Sequence, residues 1–429
     1  MRILIKSKLD EFIDSKKIIY IIEKMSDKTI RITLTQARKL FLKRQLLTNP
    51  ELPKGKDGAL FTIEKLGYIQ IDTINVVERS HHLVIFTRCP DYKKEYLHEL
   101  QAQDKKIFEY WAHAASFIPM KDYRYYLRAI EKKPKPDSRL EKWIKEHRIL
   151  IKKVRERVAK NGPLTTSDFE DSANRKRGTW WDWKPAKMAL EVLFWQGVLM
   201  IKERRKFQRV YDLTERVLPK NLDITKPSEE EEKKFFVRRA LGVLGIATEK
   251  DINRYIGVSG KLNKWINDML KSNEILKTEI VGLKKPYYIL VDDLAELTQA
   301  KKEIDSKVRF LSPFDNSIIL RDLTRDFLEF NYSLECYVPK NKRKYGYFCL
   351  PILWQNQLVG LIDPKVDRKE KTLIINNLHI MDRNLDHKKF MPSFCMALRD
   401  FMIFHNCERV QCGKPIPPEF KQVLLKYPC

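Results

Sequence analysis

The sequence predicts an α+β chain: tandem winged helix-turn-helix domains followed by a small antiparallel barrel or sandwich. Three observations carry this expectation. From Ser138 to Leu213, and again over residues 229–291, the order helix, helix, helix, hairpin recurs. After Ser306, β-branched and aromatic runs separated by charged turns replace that order. The chain is 429 residues long and 43% hydrophobic, enough for two to four separate cores.

The elements follow from local pattern. LTQARKLFLKRQLL, after Thr33, places Leu34, Ala37, Leu40, Phe41 and Leu47 near one helical stripe. Asn49–Gly58 is a loop rich in Pro, Gly and Lys. KKPKPDS (Lys132–Ser138) is a boundary, and Ser138 can cap a helix running to about Ala159. A helix near Pro185–Gln196 precedes LMIKERRKFQRVYDL, two short strands around a basic turn. Glu229–Leu244 is a helix whose acidic start suits its dipole. Thr248 to Asp251 resembles a capping box. Lys261–Lys271 is a helix, and ILKTEIVGLKKPYYILVDD pairs two strands around a turn. VRFLSPFDNSIIL, FLEFNYSLECYVP, YGYFCLPILWQNQLVGLID and KTLIINNLHI are strand-like, and Phe390–His405 closes the chain as a helix.

Charge points to the partner. With 83 Lys+Arg against 57 Asp+Glu, the formal net charge is +26. A polyanion is implied, nucleic acid first and an anionic membrane surface second. With 8 Trp and 17 Tyr, this is not a disordered basic tail. The seven cysteines are scattered without metal-ligand spacing, so no metal site and a reducing compartment are expected. The start MRILIKSKLDEF carries charges throughout and does not read as a signal peptide, and no apolar run spans a bilayer. A soluble cytoplasmic protein, associated with the nucleoid, is the expectation.

The chemistry concentrates in LGYIQIDTINVVERSHHLVIFTR (Leu66–Arg88). Gln70 and Asp72 stand two apart between Ile69 and Ile71. In a strand they would share one face while the isoleucines bury on the other. A carboxylate beside an amide can orient and activate a water. The plain alternative is the solvated side of a half-buried strand.

The strings LTQARKLFL, LGYIQIDTINVVERSHHL, EYWAHAASFIP, TWWDWKPAKMALEVLFWQGVLMIKERRKFQRVYDLTERVLP, LSPFD and LECYVPKNKRKYGYFCLPIL closely resemble the winged-helix crosslink-repair DNA glycosylases, the YcaQ/AlkZ family. The likeness spans roughly residues 31–400. It implies three tandem winged-helix domains and a β-barrel around a basic DNA channel. It also implies excision of N7-alkylated guanine, including unhooking of interstrand crosslinks. The family signature is Gln, an aliphatic residue, then Gln or Asp. Gln70-Ile71-Asp72 resembles the Asp-bearing branch, associated with broader substrate tolerance. The expected divisions are an extension over 1–30, winged-helix domains over 31–132, 138–220 and 228–300, and a barrel with closing helix over 306–429.

The expected roles follow. Asp72 is the general base and oxocarbenium stabiliser, and Gln70 positions the water or sugar. No cofactor is needed for a monofunctional hydrolysis. Candidate DNA contacts are His81, Arg175, Arg177, Arg204, Arg205, Lys206, Arg209, Lys342, Arg343 and Lys344. Arg204 to Arg209 would form a wing, and Lys340–Lys344 a basic hairpin tip. Trp180 and Trp181, and His113, read as packed residues. The partner is double-stranded DNA carrying alkylated guanine or crosslinks, with no membrane and no obligate protein partner; a monomer is the default. Two other readings compete: a non-catalytic winged-helix DNA binder, and a protein scaffold with an incidental basic surface. Asp72 discriminates against a pure binder, because a carboxylate near phosphates costs affinity.

Overall fold

A computed structural model describes residues 29–48, 52–132, 134–169, 184–298, 306–413 and 416–424. The chain divides into two compact units, Met1–Tyr92 with Lys233–Cys429, and Lys93–Glu232. Helices and strands mix in both, as an α+β chain requires.

In the first unit, β1 (Thr29–Ile32) leads into α1 (Leu34–Arg44). Thr33 closes a capping box: its hydroxyl accepts the Gln36 amide, and the Gln36 side chain accepts the Thr33 N–H. Ala37, Leu40 and Phe41 bury the expected stripe. The loop expected over Asn49–Gly58 ends early, because α2 (Gly55–Leu66) begins inside it. Gly67 takes a left-handed φ of 75° at the helix end. That turn aims the chain into β2 (Ile69–Gln70), and α3 (Ser80–Phe86) follows.

The second unit starts with α4 (Lys94–Ala102) and the antiparallel pair β3 (Ile107–Trp111) and β4 (Ala115–Pro119). After α5 (Tyr123–Ile130), Ser138 accepts the Glu141 amide and caps α6 (Arg139–Glu146). The single long helix expected here breaks at His147, whose ring stacks on Trp143, and resumes as α7 (Arg148–Asn161). Then come α8 (Lys184–Trp195) and the hairpin of β5 (Leu199–Arg205) and β6 (Gln208–Leu213). Lys206 and Phe207 both have positive φ, 46° and 72°, as a tight two-residue hairpin turn demands.

The remainder repeats the order: α9 (Glu229–Leu244), β7 (Ile246–Ala247), α10 (Glu249–Tyr255), α11 (Asn263–Lys271), then β8 (Ile275–Ile280) and β9 (Tyr287–Leu290). The Thr248–Asp251 capping box is formed. Strand β1 adds to this sheet in parallel with β8, so residues 29 and 30 of the expected extension are structured. A parallel partner so distant in sequence leaves no local signal.

Beyond lie β10 (Val308–Phe310), α12 (Arg321–Leu328), β11 (Leu350–Trp354), β12 (Gln357–Asp367), β13 (Thr372–Ile380), α13 (His387–Phe404) and β14 (Arg409–Cys412). The strands line up as β10-β11-β12-β13-β14. Among the described residues this sheet is open, with β10 and β14 at its edges, so the expected barrel does not close. FLEFNYSLECYVP is not a strand: it is the end of α12 and a long loop. Phe310, Ile352, Ile362, Phe390, Phe394 and Phe401 form a core between sheet and α13. Val77 and Leu83 join this core, so the segment after Asp72 is packed into it. Among the described residues, no helix is long and apolar enough to cross a membrane.

The first unit is tied by a buried ion pair. Arg88 donates to Asp315 at 2.7 and 2.9 Å, and both side chains are fully buried. Arg88 also donates to the carbonyls of Gln45 and Val84. Arg88→Ala leaves a buried carboxylate uncompensated and is expected to cost about 3–5 kcal/mol. Denaturant unfolding measures it, and a loss below about 1 kcal/mol, the range of an exposed pair, would contradict it.

Candidate active site

The residues around Gln70 and Asp72 are fixed by backbone bonds from remote segments. Tyr68 and Ile69 are fully buried. Asn316, also buried, donates from Nδ2 to the Tyr68 carbonyl at 3.0 Å and to the Tyr255 hydroxyl at 2.8 Å. Tyr255 in turn donates to the Leu66 carbonyl at 2.8 Å. On the far side, Arg368 donates to Asn75 Oδ1 and the Val77 carbonyl, and the Val366 N–H to the Val76 carbonyl. Ile74 and Val76 pack on the C-terminal core. The intervening residues are held from both ends.

Only Ile69 and Gln70 are in strand geometry, and Asp72 lies just beyond it. The expected face-sharing strand is therefore shorter than the alternation suggests. Ile71 is only partly buried. Asp72 Oδ1 accepts the Ile74 N–H at 2.7 Å, a local turn that replaces the strand ladder. No other hydrogen bond reaches this carboxylate among the described residues, and none reaches the Gln70 amide. Both polar groups are partly exposed and open to a ligand.

Burial pushes the Asp72 carboxyl up from its usual 3.8, and the Ile74 amide partly offsets this. A half-desolvated carboxylate with a spare oxygen is a suitable base or counter-charge for a developing cation. Its neighbour Cys336 is held protonated, by burial first and then by the Asp72 charge. A thiolate nucleophile is thereby disfavoured at this position. Among the described residues, no group of His, Cys, Asp and Glu could hold a metal ion.

The candidate DNA contacts divide sharply. Arg204 donates to both Glu109 oxygens at 2.7 Å and to the Phe207 carbonyl at 2.9 Å. Arg209 donates to both Glu191 oxygens at 2.9 Å and lies over Phe194. These two guanidinium groups lock the hairpin to β3 and α8 rather than facing solvent. Arg205 is more exposed and pairs with Glu203 on its own strand, while Lys206 sits exposed at the turn. His81 is buried in α3, against the expectation of a phosphate contact, with its ring 4.4 Å from that of His82. His113 lies partly buried in the β3–β4 turn. Lys340–Lys342 form a short 3-10 turn, not a hairpin tip. Lys342 and Lys344 are exposed, whereas Arg343 folds back to the Val338 carbonyl and the Tyr347 ring. Arg175, Arg177, Trp180 and Trp181 lie outside the described residues. Sequence reasoning missed Asn316, Tyr255 and Arg368; LSPFD ends one residue before Asn316, but nothing local links it to Tyr68.

Arg204→Ala is accordingly expected to lower stability by about 3 kcal/mol, because it removes the bidentate partner of the buried Glu109 and leaves it only Gln101 at 3.2 Å and Arg209 at 3.8 Å. Arg205→Ala is expected to leave stability unchanged and to weaken duplex binding at every sequence. Thermal melts and salt-dependent binding isotherms of the two variants check both; the reverse pattern would exchange their roles.

The model of the family "DNA glycosylase AlkZ-like" matches residues 63–400, which include Gln70 and Asp72. The structure of Streptomyces sahachiroi DNA glycosylase AlkZ superposes with a TM-score of 0.60 at 16% identity, covering 89% of this chain and 99% of that one. At that identity the superposition speaks for a shared fold. The family match extends over most of the length, and the chain belongs to the AlkZ-like DNA glycosylase family.

Proposed function

We propose that the chain is a monofunctional DNA glycosylase that hydrolyses the N-glycosidic bond of N7-alkylated guanine, including guanines tied in interstrand crosslinks. The observation that carries this is the pair Gln70 and Asp72: two polar side chains that, among the described residues, have no protein partner beyond one local amide, on backbone braced from both sides. Alkylation at N7 makes the base a cationic leaving group. The enzyme then has to stabilise an oxocarbenium-like sugar and deliver water. Asp72 does both, as counter-charge and as general base, and Gln70 holds the water or sugar in line. The cationic surface supplies affinity for duplex DNA.

The recurring helix–helix–helix–hairpin order supports a reading as tandem winged helices over 31–132, 138–220 and 228–300, with the sheet region over 306–429. Arg205, Lys206, Lys342 and Lys344 are the phosphate contacts in this reading. A crosslinked base cannot rotate freely into a deep pocket. A partly exposed Asp72 is compatible with attack from an open surface.

Base release from duplex DNA carrying 7-methylguanine tests the proposal. Wild type is expected to generate abasic sites, and Asp72→Asn to lose roughly 100- to 10,000-fold in rate while retaining binding. Retained excision by the variant would remove Asp72 from its role; no release by wild type would remove the substrate.

Acid should switch the enzyme off unusually early. Asp72 works ionised, and its folded-state pKa lies above the usual value, so excision is expected to fall as pH drops through that raised pKa. The stability sign is opposite. A raised carboxyl pKa means that ionised Asp72 costs stability at neutral pH, and protonation relieves the cost. Asp72→Asn should therefore melt no lower than wild type at pH 7, with the difference shrinking in acid. Melting curves across pH check this, and a variant that melts lower at neutral pH would contradict it.

A further inference from the structure

Among the described residues, Tyr337 is the most exposed large hydrophobic side chain, at 80%. An isolated exposed aromatic is ordinary on a protein surface. What sets Tyr337 apart is the turn that holds it. The Val338 N–H donates to the Glu335 carbonyl at 2.9 Å, closing a turn with Cys336 and Tyr337 at its centre. The Glu335 carboxylate then accepts the main-chain N–H groups of Lys344, Tyr345 and Gly346, at 3.0, 2.8 and 3.1 Å. Arg343 Nε donates to the Val338 carbonyl at 2.8 Å. Asp363 accepts the next two amides, of Tyr347 and Phe348. Gly346 is required at this point, since a Cβ there would meet the Asp363 carboxylate at 2.3 Å. The ring is thus presented to solvent on a pre-formed backbone, which lowers the penalty of ordering this loop on binding.

Its surroundings indicate what it meets. Lys340 and Lys342 follow directly on the short 3-10 turn, exposed and suited to phosphate. Asp72 lies close enough that its charge adds to the effect of Cys336 in raising the Tyr337 hydroxyl. An exposed aromatic ring on the same loop as two exposed lysines, within electrostatic range of the carboxylate assigned to the reaction, suits a nucleobase rather than an acidic peptide.

We propose that Tyr337 is a base-stacking wedge that inserts at the base step next to the damaged guanine and holds its sugar in reach of Asp72. The proposal rests on the functional reading of Asp72 above. No full base flip is needed: partial unstacking by a side chain exposes the glycosidic bond of a base that remains tethered.

The test uses duplex DNA carrying 7-methylguanine with 2-aminopurine as its 3′ neighbour. Proteins carrying Asp72→Asn hold turnover down while fluorescence reports unstacking. A rise in 2-aminopurine fluorescence on binding is expected for Asp72→Asn alone and with Tyr337→Phe, which keeps the ring. With Tyr337→Ala the rise should vanish, and affinity by anisotropy should fall about 5- to 150-fold, the loss of one base–aromatic stack. An unchanged rise and affinity with Tyr337→Ala overturns the wedge, as does failure of the duplex to bind. Base release, measured separately, reports on Asp72: a Tyr337-dependent rise without release by wild type supports the wedge and sinks the proposed substrate. Because Tyr337 is exposed, a melting curve matching that of the parent confirms that the alanine variant is folded.

Discussion

The buried pair of Arg88 and Asp315 is the interaction on which the architecture of the first unit turns. Arg88 follows α3, and Asp315 follows β10, some two hundred residues later. Burial alone would push the Asp315 carboxyl up; Arg88 and Ser317 reverse this and hold it below the usual carboxylate range. Such a pair is stable only when nearly every donor and acceptor is used, and here Gln45, Val84 and Ser317 take the remainder. A second polar contact, Ser80 Oγ to Ser312 Oγ at 2.6 Å, ties the same two segments. Asn316 is the next residue, and it grips the Tyr68 carbonyl two positions before Gln70. Fixing Asp315 therefore fixes the entrance to the candidate site.

The site itself inverts that economy. Among the described residues, Gln70 and Asp72 keep polar atoms without protein partners, on a backbone tied at Tyr68 and at Val76 and Val77. Isolated, the irregular run after Gln70 would be mobile. Asn316 with Tyr255 on one side, and Arg368 with Val366 on the other, remove that freedom. Rigid backbone with unsatisfied side chains is how a fold prepares a position for a ligand. The raised Asp72 pKa is the cost of that arrangement.

How much of this was legible follows a physical line. Patterns that depend on neighbours within a few residues were readable: the Ser138 and Thr248 caps, the stripe of α1, and the two hairpins after the helix triplets. Patterns completed by distant partners were not. Arg204 and Arg209 read as free cations because Glu109 lies about a hundred positions away and Glu191 on another element. Alternation suggested strands at Gln70–Asp72 and in FLEFNYSLECYVP. In both places a carboxylate takes over the ladder's work: Asp72 binds the Ile74 amide, and Glu335 binds three amides of its own loop. Side-chain acceptors competing with the backbone ladder are invisible to periodicity. Spacing alone points to Gln70 and Asp72 but does not separate them from the solvated side of an ordinary strand; the family resemblance supplies that weight.

The net charge and Asp72 pull against each other, and the tension bears on selectivity under the proposed function. DNA phosphates near the site add negative potential, which raises the Asp72 pKa further and favours its protonated, inactive form. Neutral guanine offers nothing to offset this. An N7-alkylated guanine carries a positive charge into the same space and lowers that pKa again, favouring ionised Asp72 only when the lesion is present. Undamaged DNA would then bind through phosphates yet meet a weakened base. A carboxylate whose pKa burial has raised is more sensitive to such a change than one fully solvated. In the proposed function, partial desolvation of Asp72 would thus link binding of a cationic base to readiness for hydrolysis without any moving part.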